Sequence, residues 1–88
     1  MYRVRYEKEF HKNLKSLDPS QARLTLAWIK KNLDQSNNPR EKGKRLKGKL
    51  NEYWRYRIGD YRLLCEIKDD QLILICIAVG HRKNIYDL

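Results

Sequence analysis

The chain is poor in the residues that form disulfide scaffolds and metal centres. Its 88 residues include only two cysteines and two histidines. Cys65 and Cys76 lie in apolar segments without a Cys-x-x-Cys or Cys/His spacing, and His11 and His81 are far apart in sequence. A metal site is therefore not expected. We expect two reduced core thiols, as in a cytoplasmic protein, with a disulfide between neighbouring strands as the alternative.

Long apolar runs are missing as well. No stretch is long enough to span a bilayer, and no signal-peptide pattern opens the chain, so we expect a cytoplasmic protein without a membrane partner. The length fits one domain, residues 1–88, built from one sheet and two helices. A domain of this size has little room for an enclosed pocket beside its core, so no cofactor is expected.

Acidic residues are scarce, since 11 of them oppose 20 lysines and arginines, and the net charge is +9. A domain this basic suits a nucleic acid, an acidic protein or an anionic membrane surface. The apolar fraction of 41% is patterned along the chain, which argues against disorder.

The N-terminal half predicts one strand and two helices. Residues 2–6 alternate apolar and basic side chains, as in a half-buried strand, and residues 7–17 carry apolar side chains at helical spacing. Asp18 and Pro19 form a helix start, and this second helix should run to about Gln35. The apolar stripe expected to face the sheet consists of Ala22, Leu26, Ile29 and Leu33.

Leu24 and Trp28 lie four residues apart, on nearly the opposite side of that helix. Two interpretations stay open: they pack on the first helix, or they form an exposed apolar patch that binds a partner protein.

A basic segment, residues 40–49, follows the helix breaker at residues 36–39. A run of this kind is usually a solvated loop, but directly before a strand it also provides an electrostatic approach to a phosphate chain. Its basic members are Arg40, Lys42, Lys44, Arg45, Lys47 and Lys49, and Glu41 is its one acidic residue.

The C-terminal half predicts an antiparallel meander. Strands over residues 53–58 and 61–67 flank the tight turn Gly59-Asp60, and the nearly all-apolar residues 72–79 form the last strand, which should be central. The predicted class is α+β, with the order β-α-α-β-β-β, an antiparallel-dominated curved sheet and both helices packed on one face.

Strand parity places the guanidinium groups of Arg55, Arg57 and Arg62 on one face of this sheet. The helices need the apolar face, so the arginines should emerge from the uncovered one. Arginines on a strand often form no more than a solvated surface. Converging cations repel each other unless a polyanion lies between them, and forked guanidinium groups bind phosphate well.

The last strand is followed by Gly80-His81-Arg82 and Tyr86. Histidine is the residue type that ordinarily ionises near neutral pH, which suits His81 for proton transfer, although a histidine that ends a strand is often incidental. Tyr86 is able to stack on an unpaired base.

Three segments resemble the RelE branch of the RelE/ParE toxin superfamily: residues 45–49, 53–63 and 79–86. The resemblance covers essentially the whole length. It implies a toxin that enters the ribosomal A site and cuts mRNA without a metal, leaving a 2′,3′-cyclic phosphate and a 5′-hydroxyl. It also implies a cognate, RelB-like antitoxin that wraps the toxin and carries the complex to operator DNA.

By this resemblance Arg62 steadies the scissile phosphate and Arg82 assists the leaving oxygen. Tyr86 matches the C-terminal tyrosine that orients the nucleotide, with one residue fewer in the spacing. Arg55 and Arg57 stand where the best-known member has lysines, and permanently charged arginines are poor general bases. Some related toxins use a glutamate where this chain has Lys44. His81 is therefore the predicted proton-transfer group.

The catalytic prediction thus comprises Arg62, Arg82, His81 and Tyr86. The RNA-binding prediction comprises Arg55, Arg57, Lys44, Arg45, Lys47 and Lys49, and the antitoxin-binding prediction comprises Leu24 and Trp28. Two alternative functions stay open: a ParE-like inhibitor of DNA gyrase without nuclease activity, and a plain nucleic-acid-binding module.

Overall fold

A five-stranded mixed sheet organises the computed structural model, which describes residues 1–85. The strands are β1 (Arg3–Tyr6), β2 (Gly43–Arg45), β3 (Tyr53–Ile58), β4 (Tyr61–Lys68) and β5 (Ile73–His81). The helices are α1 (Lys8–Ser16), α2 (Pro19–Asn32) and α3 (Arg82–Ile85), and a 3-10 turn spans Gly48–Leu50.

The strand order is β1-β5-β4-β3-β2, with β1 parallel to β5 and the other pairs antiparallel. The predicted α+β class and the order of its six elements are confirmed. Two short elements were not predicted, β2 within the basic segment and α3 after the last strand. The last strand lies inside the sheet as expected, although β4 occupies the middle position.

Local chemistry sets the start of α2. The side chain of Asp18 accepts the N–H of Ser20 at 3.1 Å, and Pro19 occupies the first turn, where no donor is needed. The helix ends at Asn32, earlier than predicted, and Gln35 takes a positive φ of 63° in the turn that follows.

The main core lies between α1, α2 and one face of the sheet. Its fully buried large side chains include Phe10 of α1, Ile29 of α2 and Tyr56 of β3. The predicted stripe of α2 is partly wrong, because Thr25 is fully buried whereas Leu26 is 38% exposed. The ring of Trp28 packs against Tyr56, with a centroid distance of 5.8 Å, and the buried face of α2 carries Thr25 and Ile29.

The opposite sheet face is not bare, contrary to prediction. A smaller apolar cluster forms there from Leu46, Leu64 and Ile85, with Leu50, Tyr53, Ile77 and Ala78 packed around it. It is built by the connection between β2 and β3 and by α3, whose apolar residues lie outside any long periodic pattern. The two helices α1 and α2 do share one face, as predicted.

A β-bulge in β5 changes which residues share a face. Leu64 pairs with Ala78 and Cys65 pairs with Cys76, so Ile77 is an extra residue in β5. Val79 consequently faces the helices, as Cys76 does, even though the two are three residues apart.

Cys65 and Cys76 are free, fully buried and directly paired, with their sulfurs 3.8 Å apart. Burial raises the pKa of the Cys65 thiol well above its ordinary value, so both behave as small apolar core residues. No helix in the described part of the chain is long and apolar enough to cross a bilayer.

Candidate functional site

Five basic side chains line an open cleft of about 500 Å³ at the turn end of the β3–β4 hairpin, on the sheet face opposite α1 and α2. We call it the cation cleft. Its lining residues are Arg55, Arg57, Arg62, Arg82 and Lys83. Arg57 stands directly opposite Arg62 in the strand register, and Arg55 lies two residues further along β3. The structure thus brings the three strand arginines together, as parity predicts, and adds two cations from α3.

Arg62 is held in place by the hairpin turn. Its Nη1 atom donates to the carbonyl oxygens of Gly59 at 2.9 Å and Tyr61 at 3.0 Å. Gly59 has a φ of 60°, which glycine adopts without strain and which the tight two-residue turn requires. Among residues 1–85 no acceptor is found for the other N–H groups of the guanidinium, which are the groups that an anion would bind.

The cations crowd each other. Partial desolvation, followed by the charges of Arg57, Arg55 and Arg82, lowers the pKa of Arg62 from its ordinary value. Arginine stays charged despite such a shift, so the repulsion persists until an anion neutralises it. The cleft is therefore built to favour a polyanion.

Arg55 carries a buried hydrogen-bond donor. Within residues 1–85 its Nε atom is buried and has no hydrogen-bond acceptor. A buried donor without an acceptor costs on the order of 1–3 kcal/mol, and an oxygen of a bound anion would remove this cost.

Arg82 is tied to the same hairpin turn. Its backbone N–H donates to the carbonyl oxygen of Asp60 at 2.8 Å, and its side-chain Nε lies 3.9 Å from the Asp60 carboxylate. The start of α3 is thereby fixed beside Arg62. Lys83, the next residue, also lines the cation cleft but was missed, since one lysine in a basic chain gives no distinguishing signal.

A second cleft adjoins the first and shares Arg55 and Arg57 with it. We call it the loop-side cleft; its volume is about 230 Å³. The residues that complete its lining are Glu41, Lys42, Gly43 and Lys44. Among residues 1–85, Glu41 is the one carboxylate that lines either cleft. The sequence offered one signal for it, since it is the one acidic residue of the basic segment.

Two buttresses hold the segment that carries Glu41. The hydroxyl of buried Tyr56 donates to the carbonyl oxygen of Pro39. Arg40 donates two hydrogen bonds to the carboxylate of Asp69, at 2.9 and 2.8 Å, and the Tyr2 hydroxyl donates to the same carboxylate.

The aromatic rings of β3 also shape this segment. The guanidinium of Arg40 lies over the ring of Trp54, 5.4 Å from its centre. A Cβ atom on Gly43 would lie 2.7 Å from the ring of Tyr56, so this position needs glycine for the close approach.

The predicted RNA-binding residues of the basic segment do not all converge. Lys44 pairs with Arg55 and shares its face, whereas Arg45 pairs with Trp54 and therefore lies on the helix side of the sheet edge. Arg45 points away from the strand arginines because neighbouring residues of a strand point to opposite faces, and its contact with RNA stays a prediction. Lys47 and Lys49 are exposed in the connection that follows and belong to the lining of neither cleft.

His81 is not in the cation cleft, which corrects the prediction that it works beside the arginines. The bulge at Ile77 reverses the parity of the end of β5, so Gly80 pairs with Arg62 and His81 pairs with Tyr61 on the helix side. The imidazole meets the ring of Tyr61 edge-on, at a centroid distance of 5.3 Å. It lines a separate cleft beneath α1, together with Asn13, Ser16 and Asn84.

Leu24 and Trp28 have different environments. Trp28 packs against Tyr56 of the sheet and against the main core, whereas Leu24 is 54% exposed. Both still line a shallow groove along α2, together with Ala27, Lys31 and Asn32. Tyr86, the predicted stacking residue, lies outside the described residues.

Comparisons with known proteins agree with the geometry. Residues 4–86 match the family model of the ParE toxin of the type II toxin-antitoxin system, parDE. Toxin RelE3 of Methanocaldococcus jannaschii is 35% identical over 88 residues, which covers 97% of this chain and 96% of that protein.

Solved toxin–antitoxin complexes contain chains of the same fold. The RelBE2 complex of Mycobacterium tuberculosis has a chain with a TM-score of 0.84 and 28% identity, covering 92% of this chain and 91% of that one. The RelB–RelE complex of Methanococcus jannaschii has one with a TM-score of 0.65 and 31% identity, covering 96% of each. The isolated RelE toxin of E. coli, at 20% identity and a TM-score of 0.71, shares the fold over 99% of this chain and 93% of its own.

Proposed function

Because this chain belongs to the RelE/ParE superfamily and is a RelE-like toxin of a type II toxin–antitoxin system, we propose that it is an endoribonuclease that cuts mRNA on the ribosome. The observation that carries the proposal is the convergence of Arg55, Arg57 and Arg62 with Arg82 and Lys83 in one open cleft. Inhibition of a protein target by binding alone does not require such a concentration of forked donors.

The proposed reaction is an in-line transfer within the RNA. The ribose 2′-oxygen loses its proton and forms a bond to the adjacent phosphorus, while the bond from phosphorus to the 5′-oxygen breaks. The departing 5′-oxygen takes up a proton. The products are a 2′,3′-cyclic phosphate and a 5′-hydroxyl, so no external water or cofactor enters this step.

Arginine contacts supply the electrostatic part of this mechanism. Negative charge accumulates on the phosphoryl oxygens in the transition state, and preorganised donors that meet this charge lower the barrier. Arg62, which is braced by the turn carbonyls, contacts the scissile phosphate. Arg82 contacts the leaving oxygen, and Arg55 contributes its unpaired Nε donor.

Glu41 is the proposed acceptor of the 2′-hydroxyl proton, in place of His81. It lines the loop-side cleft, which shares Arg55 and Arg57 with the cation cleft, whereas His81 lies across the sheet. A positioned general base typically contributes about 10²–10⁴-fold to a rate.

The proposed partners follow from the relatives and from the surface. Similar chains were solved in complex with RelB antitoxins, so we assign this toxin a RelB-like antitoxin, which would bind operator DNA on behalf of the complex. The groove that holds Leu24 and Trp28 offers apolar surface to such a partner. Ribosome and mRNA are the proposed targets, which places the activity in the cytoplasm.

The matching family model also favours a second candidate, inhibition of DNA gyrase, because it is named for ParE. The two candidates are separated by adding the purified toxin to a translation extract and, in parallel, to a gyrase supercoiling assay. Cuts at fixed positions in the translated mRNA, with 5′-hydroxyl ends and no effect on gyrase, support the nuclease. Intact mRNA together with gyrase-dependent DNA breaks would overturn it.

A further inference from the structure

The position of His81 gives it a bond that proton transfer to RNA does not need. Its Nδ1 atom accepts the backbone N–H of Lys83 at 3.1 Å. An acceptor side chain directly before a helix that binds the N–H of the second helical residue is in the arrangement of an N-cap. His81 therefore caps α3 from the helix side of the sheet.

Helix α3 depends on such anchors because it comprises four residues, Arg82–Ile85, within the part of the chain that the structure describes. Isolated helices of this length are unstable in water. Ile85 packs with Leu46 and Leu64, and the backbone N–H of Arg82 donates to the carbonyl oxygen of Asp60. The cap from His81 is the third anchor, and it holds the backbone of Lys83 in place.

We propose that His81 is a positioning residue, whose neutral imidazole caps α3 and thereby holds Arg82 and Lys83 at the cation cleft. The expected effect of His81 on RNA binding rests on the proposed function, whereas the cap itself does not depend on that function. It also explains how a residue on the helix side of the sheet influences a cleft on the other side.

The cap requires that the acceptor nitrogen of the ring is unprotonated. An imidazolium ring has a proton on both nitrogens and accepts no hydrogen bond, and a cation at a helix N-terminus is unfavourable. Imidazole ordinarily changes charge between about pH 5 and 8. Protonation of the His81 ring would therefore remove the cap and loosen α3.

Charged and titratable groups around the ring are few. Asp18 at the start of α2 and Tyr61 of β4 line the same cleft as His81, and Arg82 and Lys83 follow it in the chain. From α1 the lining includes the uncharged Asn13 and Ser16. Asp18 carries a negative charge, opposite in sign to that of the two cations.

The test compares the wild type with His81→Asn, His81→Ala and the control His11→Ala, which changes an exposed histidine of α1. Asparagine has a non-titrating acceptor and is a strong N-cap residue. Two quantities are measured on the full chain at pH 7.5 and 5.5. These are the hydrogen-exchange protection of the Lys83 amide, by NMR, and the affinity for a single-stranded RNA with 2′-O-methyl groups, which cannot be cut.

At pH 7.5 we expect His81→Ala to lose about fivefold in Lys83 protection and a similar factor in RNA affinity, while His81→Asn and His11→Ala match the wild type. At pH 5.5 the Lys83 protection and RNA affinity of the wild type should approach those of His81→Ala. Between pH 7.5 and 5.5, both quantities should change no more in His81→Asn than in His11→Ala.

Wild-type protection of Lys83 in His81→Ala would overturn the proposal. So would a His81→Asn variant that binds this RNA normally but cuts translated mRNA a hundredfold more slowly in a translation extract, since the imidazole would then take part in proton transfer. If the wild type binds no RNA at all, the proposed function fails, and the Lys83 amide alone still decides whether His81 caps α3.

Discussion

Arg57 and Arg62 face each other directly across the β3–β4 hairpin. Opposed like charges destabilise a hairpin, because both side chains lie on the same face within reach of each other. Only two residues, Gly59 and Asp60, separate β3 from β4, so the register leaves these arginines no other arrangement. The fold therefore retains repulsion between Arg57 and Arg62, and a bound phosphate would relieve this repulsion.

Replacing Arg62 by alanine should separate activity from stability. We expect Arg62→Ala to cut translated mRNA about 10²–10³-fold more slowly, as for the loss of one preorganised transition-state donor. Its thermal unfolding temperature should be equal to or above that of the wild type, since the repulsion by Arg57 and Arg55 is removed. The rate is measured by mapping 5′ ends in a translation extract.

Arg23→Ala is the matched control for this variant. It removes the same charge from an exposed position on α2 and should retain wild-type cleavage. Equal cleavage by Arg62→Ala and Arg23→Ala would refute the role of the cation cleft.

Glu41→Gln tests the proposed proton acceptor. Glutamine keeps the shape of the side chain but takes up no proton, so we expect a loss of about 10²–10⁴-fold in the cleavage rate with little change in RNA affinity. The comparison is Glu52→Gln, which makes the same change at an exposed position outside both cleft linings. A Glu41→Gln variant that cuts at the wild-type rate would remove Glu41 from the mechanism.

Lys44 and Arg45 form a natural matched pair, since they are adjacent in β2 and lie on opposite faces. For single strands, each phosphate contact contributes about 0.7 to the slope of log affinity against log salt concentration. Lys44→Ala should lower this slope for a single-stranded RNA by about that amount, and Arg45→Ala should leave it near the wild-type value. The slope is obtained by fluorescence titration at several salt concentrations. Equal effects of the two variants would show that strand parity does not determine RNA contact.

Tyr56→Phe tests the buttress at Pro39. Burial of Tyr56, the main cause, raises the pKa of its phenol, so the hydroxyl remains protonated and donates to the Pro39 carbonyl. Its loss should lower the free energy of unfolding by about 1–2 kcal/mol, as expected for a buried acceptor left unpaired. Tyr53→Phe, on the same strand but in the smaller cluster, is the control. Both are measured by urea unfolding, and equal stabilities would argue against the buttress.

Asp69 predicts a specific pH dependence of stability. Hydrogen bonds from Arg40 and then from Tyr2 lower the pKa of Asp69 from its ordinary 3.8 to about 2. A depressed folded-state pKa stabilises the protein above the unfolded-state value, and the stabilisation is lost as pH falls through the folded-state value.

The melting temperature of Asp69→Asn should therefore lie below that of the wild type by a constant amount above about pH 5. The difference should shrink between about pH 4 and 2. Asp70→Asn, one residue further in the same turn, provides the comparison. A difference between wild type and Asp69→Asn that does not vary with pH would contradict the ion pair.

Regular periodicity explains which parts of the fold were predictable. The strand at Tyr53–Ile58 and the turn Gly59-Asp60 were predicted with the bounds that the structure shows, because alternation along a short hairpin fixes both register and face. The same alternation predicted that Arg55, Arg57 and Arg62 share one face of the sheet. The smaller cluster was missed because Leu46 lies in an irregular connection and Ile85 in a short helical segment, and neither context has a period that marks a buried side chain.

The error on His81 has a different origin. A bulge adds one residue without any change in apolar pattern, and Ile77 looks like its neighbours in a strand that is apolar throughout. One such residue exchanges the faces of everything that follows it. The sequence therefore indicates which residues follow β5 but not which side of the sheet each of them occupies.

Gly43 fits against the ring of Tyr56, and it also makes β2 a weak edge, since glycine loses the most backbone freedom on ordering and contributes no side chain to pack. With three residues, β2 is also the shortest strand of the described sheet, and it pairs with β3 alone. Detachment would carry Glu41 away from the hairpin arginines and leave the core intact. A molecule that separates β2 from β3 would silence the toxin while the toxin stays folded. Release of that molecule would restore activity without refolding.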